Sequence, residues 1–474
     1  DETQDFIAKK GLKEIQFSQL LANLEPTFKE IQNNVDDSIN SYKELKLERE
    51  PELQKKIQEQ IKNLEIIRKY ILTINTNYAT ILEILWHTKQ KKYLIIFQNS
   101  DEIRPTGWFM GSMAILDIFR GKVQNFEQKD VYDLEWNLKK SGHKRLSPPE
   151  GINKITDSFW LRDANYFINP KESAKNIKFF VDNAWYPIDG VLFLNQNIVS
   201  DILTVIWSIH FKDIDETITS ENFSELMSIL VESKKFKTGT LWTPKKVLFD
   251  FSKLFFEKIQ KEKAYREYLK IFLKNLDNRE VLFETFSQEE DIFLEKIGLT
   301  GFMKLDTTFD FNYPVFTSIS WNKSDRYMKR SYEKYLETNT DCSYNSVFRI
   351  KQTHTFTETD ETRVQKYFEK YDITDKEGKL LSIQWKWKNW QYVRVILPLK
   401  AQIKNKNVVV EDYQQRKSIN FYMETLPGKT SFFDIEYSLP NPDCKNYTYK
   451  LYKQPGIKDF AIKFEETGRK SNTY

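Results

Sequence analysis

The sequence predicts an α/β protein in three parts. These are a helical hairpin or coiled-coil arm over residues 1–90, a central α/β domain over 91–312, and an antiparallel β-sandwich over 313–474. Three observations predict it. Apolar residues step by three and four between Ile57 and Leu85, strand and helix patterns alternate from about residue 91, and β-branched and aromatic runs separated by turn residues take over from about Thr317. A chain of 474 residues is long enough for two or three cores rather than one.

In the arm, Ile57, Ile61, Leu64, Ile67, Ile71, Ile74, Tyr78, Ile81 and Leu85 form one stripe with Glu, Lys and Gln on the other faces. Ile15, Leu20, Leu21, Leu24, Phe28 and Ile31 mark an earlier helix, with Pro26 as a kink or break and Asn34–Leu45 as the candidate bend. The expected role is a packing arm. The chain begins at Asp1-Glu2-Thr3, already inside a helical pattern, and has no apolar run of membrane length. A membrane anchor is therefore expected upstream, in a segment absent from this chain.

The central domain is organised around residues 91–135. A buried strand at Tyr93–Phe97 runs into polar Gln98, Asn99, Ser100, Asp101 and Glu102, then Arg104-Pro105-Thr106-Gly107. A second strand, Met110–Phe119, turns at Arg120-Gly121 into a third run ending at Asp130–Asp133. Farther on, Leu161-Arg162-Asp163-Ala164-Asn165 brings Arg, Asp and Asn together again, before a helix that starts at Pro170 and a buried strand at Ile188–Leu194. Helical patterns follow at Asn197–Ile206, Glu221–Val231 and Val247–Leu276. Open α/β sheets place ligands at strand ends of this kind. Guanidinium groups suit phosphate oxygens, and aspartates supply the hard oxygens that magnesium prefers. The competing roles are plain: structural ion pairs for the arginines, turn or cap duty for the aspartates, helix capping for Asn165.

The C-terminal part offers strands at Val347–Phe356, Tyr392–Leu397, Ser418–Thr425, Ser431–Tyr437 and Tyr447–Tyr452. Both cysteines, Cys342 and Cys444, lie here, and two states stay open: a bridge formed outside the cytoplasm, or two free thiols. Trp385, Trp387 and Trp390 fit either carbohydrate stacking or plain strand alternation.

Composition excludes some classes. Basic side chains number 72 and acidic ones 68, interspersed, so no field points to nucleic acid. Four histidines and two cysteines, none in a ligand spacing, exclude a zinc site.

Gln98-Asn99, Arg104-Pro105-Thr106-Gly107, Gly111-Ser112, Asp130-Val131-Tyr132-Asp133-Leu134, Leu161–Asn165 and Lys453-Gln454-Pro455-Gly456 occur in an order that resembles the bacterial envelope proteins carrying the domain of unknown function 4012. The resemblance implies a membrane-tethered protein on the outer side of a bacterial membrane and assigns no chemistry. More distantly, the order of parts is similar to the LytR-CpsA-Psr phosphotransferases, which move glycopolymers from a polyprenyl-pyrophosphate carrier to the cell wall. That similarity implies a LytR-CpsA-Psr-like fold for the central domain. It also implies a ligand site of Asn99, Arg104, Thr106, Arg162 and Asn165, with Asp130, Asp133 and Asp163 as catalytic carboxylates. Of these, Asp130 and Asp133 would hold Mg2+. The Arg-rich helix of that family has only Lys234, Lys235, Lys245 and Lys246 as counterparts. The function implied is binding of a polyprenyl-pyrophosphate glycan and its transfer to a cell-wall polymer. The alternative is a non-catalytic envelope scaffold or adhesion protein.

Gly is scarce, 14 of 474 residues, while Trp numbers 11. Trp86, Trp108, Trp136, Trp185, Trp207 and Trp321 stand where the resembled pattern has glycine. One cause accounts for both: a source organism that reads UGA as glycine, with these codons rendered as tryptophan.

Overall fold

The structure is a computed structural model. It describes residues 17–45, 50–84, 89–119, 122–142, 146–232, 246–301, 309–371, 384–441, 447–457 and 461–467. Trp86, Lys234, Lys235, Lys245 and Cys444 lie outside the described residues.

Helix α1 runs Phe17–Glu44 with Pro26 inside it. Of the kink or break expected at Pro26, the helix shows no break, and it continues through Asn34–Glu44, within the stretch expected as a bend or link. Proline removes one intrahelical hydrogen bond, but burial of Val35 and Ile39 against Ile61 and Ile71 holds the rest in register. Helix α2, Pro51–Thr76, begins on proline, which has no N–H to leave unpaired. Arg68 reaches Asp36 at 2.5 Å and Asn75 reaches Gln32 at 2.7 Å. A short helix α3, Tyr78–Ile84, leads into the sheet.

The central sheet comprises β1 (Lys91–Arg104), β2 (Gly107–Phe119), β3 (Lys122–Asp130), β4 (Gly190–Asn195) and β7 (Val281–Thr285) in the order β3-β2-β1-β4-β7. The pair β1–β4 is parallel and the others are antiparallel. Period-two alternation decides what each face carries. Leu94, Ile96, Val191 and Phe193 face α4 (Val131–Lys140) and α5 (Pro170–Asn183) in the largest core. Ile95, Phe97, Leu192 and Leu194 face the other way. That second face is covered by α6 (Asn197–Ile206), α7 (Phe223–Glu232) and α8 (Lys246–Glu262), which share an apolar cluster with the small hairpin β5–β6 (Ser208–Phe211, Glu216–Thr219). Helix α9 (Tyr265–Asp277) precedes β7, and α10 (Gln288–Lys296) follows it. The helical pattern over Val247–Leu276, which allows one or more helices, forms two, α8 and α9. Strand β7 escapes the sequence pattern because all five residues are buried, leaving no alternation to detect.

The C-terminal part builds two five-stranded sheets. One holds β8 (Asp310–Ser318), β11 (Asn389–Leu397), β13 (Val409–Asp412), β14 (Lys417–Thr425) and β16 (Tyr449–Leu451). The other holds β9 (Met328–Thr338), β10 (Tyr344–His354), β12 (Gln402–Ile403), β15 (Thr430–Leu439) and β17 (Ala461–Thr467). Phe316, Val393 and Ile419 of the first sheet and Phe348, Ile350 and Ile435 of the second share one core, which Ile103 and Trp108 of the central sheet enter. Helix α11, Glu358–Lys370, interrupts the strands behind a capping box of Thr357 and Asp360. Cys342 is disulfide-bonded.

Trp185, Trp207 and Trp321 all sit at positive φ, 71°, 69° and 52°. Their indoles are 84%, 80% and 63% exposed.

Candidate functional site

Between the second face of the central sheet and helices α6–α8 lies a cavity of about 770 Å3. Its size falls in the upper part of the range of roughly 300–1,000 Å3 typical of ligand pockets. One wall is apolar, with Ile202, Met227, Val231, Leu248, Phe251 and Phe255 contributed by the three helices. The other is charged and is built at the carboxyl end of β1.

There β1 breaks register with β2 between Phe97 and Ile103. The bulged segment, held by Asn99 Oδ1 accepting from the Asp101 amide at 3.2 Å, delivers Asp101, Glu102 and Arg104. Arg104 is 1% exposed. Its Nη2 lies 3.9 Å from Glu102 and 3.8 Å from Asp163. Its Nη1 donates to the carbonyls of Ser318 at 2.8 Å and Ile103 at 3.2 Å. The buried Nε of Arg104 has no hydrogen-bond partner among the described residues. Burial pushes the Asp163 carboxyl up to about 6, against the pull of Arg104 and Arg162. Arg162 is held by Glu135 through Nη2 at 2.5 Å and Nε at 3.1 Å, and stacks 4.8 Å from the Tyr132 ring. Lys323, from the loop after β8, approaches Glu102 at 3.4 Å.

The residues anticipated from sequence divide by role. Asn99, Arg104, Arg162 and Asp163 line the cavity together. Thr106 and Asn165 do not. Both are fully buried in a network in which Thr106 Oγ1 donates to Gln98 at 2.7 Å, and Asn165 Nδ2 donates to Gln98 at 3.1 Å, Thr106 at 3.1 Å and the Trp108 carbonyl at 2.8 Å. They lock the Arg104–Gly107 turn, where a side chain at Gly107 would collide with Asn195. Asn165 caps no helix; Asn169 caps α5 instead. Asp130 caps α4 by accepting from the Tyr132 amide at 3.1 Å, and Asp133 is exposed on that helix's first turn. Among the described residues no three His, Cys, Asp or Glu side chains are grouped to hold a metal ion.

Glu102, Glu135 and Lys323 were not singled out by sequence. Glu135 follows Asp133 by the two-residue step that turns it inward, a signal available in principle. Lys323 arrives from the β region, which no local pattern announces.

Residues 88–229 match the family model described as "Protein of unknown function (DUF4012)". The match supports that family for the segment carrying most of the site. No curated protein and no solved structure matches the chain. No helix among the described residues is long and apolar enough to cross a membrane.

Proposed function

We propose that the cavity binds a lipid whose headgroup is a phosphate or diphosphate, in the form of a polyprenyl-pyrophosphate-linked glycan. The observation that carries this reading is one cavity with an apolar wall of three helices and a charged wall where Arg104, Arg162 and Lys323 stand beside Asp101, Glu102 and Asp163. Burying an isoprenoid chain contributes about 0.8 kcal/mol per methylene, so the tail supplies most of the affinity. Arg104, Arg162 and Lys323 then fix the headgroup at the β1 end. On this reading the central domain is LytR-CpsA-Psr-like, the C-terminal sheets form a sandwich, and the arm joins a membrane anchor outside this chain, all on the extracytoplasmic side.

Transfer of the glycan to a cell-wall polymer is the reaction this binding would serve. Of the three anticipated aspartates, Asp163 lines the cavity. In the proposed reaction this carboxylate would take the acceptor's proton. Among the described residues, Asp130 and Asp133 are not grouped with a third carboxylate that could hold a metal ion. Mg2+ would come with the diphosphate, as its counterion.

A second reading, an envelope scaffold or adhesion protein, draws on the internal pairing of both arginines with Glu135, Glu102 and Asp163. Occlusion of the cavity separates the two. With Val231→Trp on the apolar wall, native mass spectrometry with polyprenyl pyrophosphate should lose the bound lipid that the parent protein retains. Equal retention by both proteins would remove the cavity from the account.

A further inference from the structure

Lys334 of β9 is fully buried between the two C-terminal sheets. A lysine so placed needs a partner, and Asp310 of β8 lies 2.8 Å from its Nζ. The rings of Tyr437 and Tyr449 stand 4.5 Å and 4.7 Å from the same nitrogen. Asn312 follows Asp310 by two residues, so both side chains leave β8 on one face. Its Oδ1 is 3.4 Å from Lys334 Nζ. Tyr449 donates to that oxygen at 2.9 Å, and Asn312 Nδ2 donates to the Tyr437 hydroxyl at 3.2 Å. Tyr437 donates to Asp310 at 2.8 Å, and Tyr447 donates to its other oxygen.

We propose that Lys334 and Asn312 join in an intramolecular isopeptide bond, with Asp310 carrying the proton. Lys334 Nζ, as the neutral amine, adds to Cγ of Asn312 and a C–N bond forms. Charge developing on Oδ1 is met by the Tyr449 hydroxyl, a donor already aimed at that atom. Asp310 takes a proton from the attacking nitrogen and returns it to the departing Nδ2. The Cγ–Nδ2 bond then breaks and ammonia leaves. Nothing is oxidised or reduced, and no co-reactant is needed.

The surroundings favour each requirement. Burial lowers the affinity of Lys334 for its proton, which frees the lone pair. Two groups held together inside a packed core react at effective concentrations far beyond those in solution. The product would tie β8 of one sheet to β9 of the other, a covalent link across the core. The link lies apart from the cavity and does not depend on its ligand.

The test is the mass of the full chain after reduction of its disulfide. The folded protein should weigh less than its sequence by one ammonia, and tandem spectra of a digest should show the Lys334 and Asn312 peptides joined. Lys334→Met, Asn312→Ala and Asp310→Ala should each restore the full mass. The parent protein needs no variant to decide the matter. A folded chain at full sequence mass, or an ammonia deficit located in another peptide, overturns the proposal.

Discussion

The side-chain amide of Gln454 donates to the carbonyl oxygen of Arg104 at 2.8 Å, across 350 residues of sequence. The same side chain donates to the Phe316 carbonyl at 2.9 Å and accepts from the Phe316 amide at 2.7 Å. The Lys453–Gly456 element thus clamps the turn that holds the cavity's buried arginine onto strand β8 of the C-terminal sheets.

Removing the clamp should destabilise the fold. Gln454→Ala leaves a buried amide and two carbonyls without this partner, at about 1–3 kcal/mol for each group left unsatisfied. Urea unfolding should show a lower midpoint with an unchanged slope. A midpoint within error of the parent would mean that the turn is held by other contacts.

Three tryptophans should be better as glycine. Trp185 follows α5 in the left-handed position of a helix-ending motif, its amide bonding to the Asp182 carbonyl at 3.0 Å and the Tyr186 amide to Val181 at 3.1 Å. An exposed indole gains nothing there, and left-handed backbone costs a side-chain-bearing residue about 1 kcal/mol. Trp185→Gly, Trp207→Gly and Trp321→Gly should each raise stability by about that amount. If UGA is read as glycine in the source organism, peptides of the protein purified from its own cells carry glycine at these positions. UGG codons there would end that explanation and leave the strain unexplained.

Anion binding should strengthen on acidification. With its pKa raised to about 6 by burial, Asp163 is ionised at pH 7 and sets a negative charge beside Arg104. Below pH 6 it is neutral, and the guanidinium is released to a phosphate. Affinity for polyprenyl pyrophosphate should therefore rise up to about tenfold between pH 7 and pH 5, one pKa unit being 1.36 kcal/mol. Asp163→Asn should bind tightly at pH 7 and flatten the profile. The same raised pKa means that this group's contribution to stability is present below the unfolded carboxyl value and is lost as pH rises through about 6. A profile that Asp163→Asn leaves unchanged would place the titrating group elsewhere.

Much of the fold could be read locally. The stripe from Ile57 to Ile74, the buried run Tyr93–Phe97 and the Pro170 helix start all became the elements their patterns imply. Pro26 does not break its helix, because tertiary burial of Val35 and Ile39 outweighs one lost hydrogen bond. Arg104, Arg162 and Asp163 were legible as charge at strand and turn ends, and they do meet at the cavity. Thr106 and Asn165 stand in the same motifs for a different reason: they are the buried bonds that hold the turn. A motif marks both kinds of residue alike. The apolar wall was hidden because the cavity faces of α7 and α8 carry the same spacing as any core-facing helix.

In the proposed function one cavity reads both tail and headgroup. Isothermal titration of the parent protein with polyprenyl pyrophosphate and with the free polyprenol, each with and without Mg2+, tests it most directly. Both lipids should bind, the pyrophosphate more tightly. An Arg162→Ala, Lys323→Ala protein that remains folded should lose that preference and keep the tail's contribution. Equal affinity of the parent for the two lipids, or no binding of either, would contradict it.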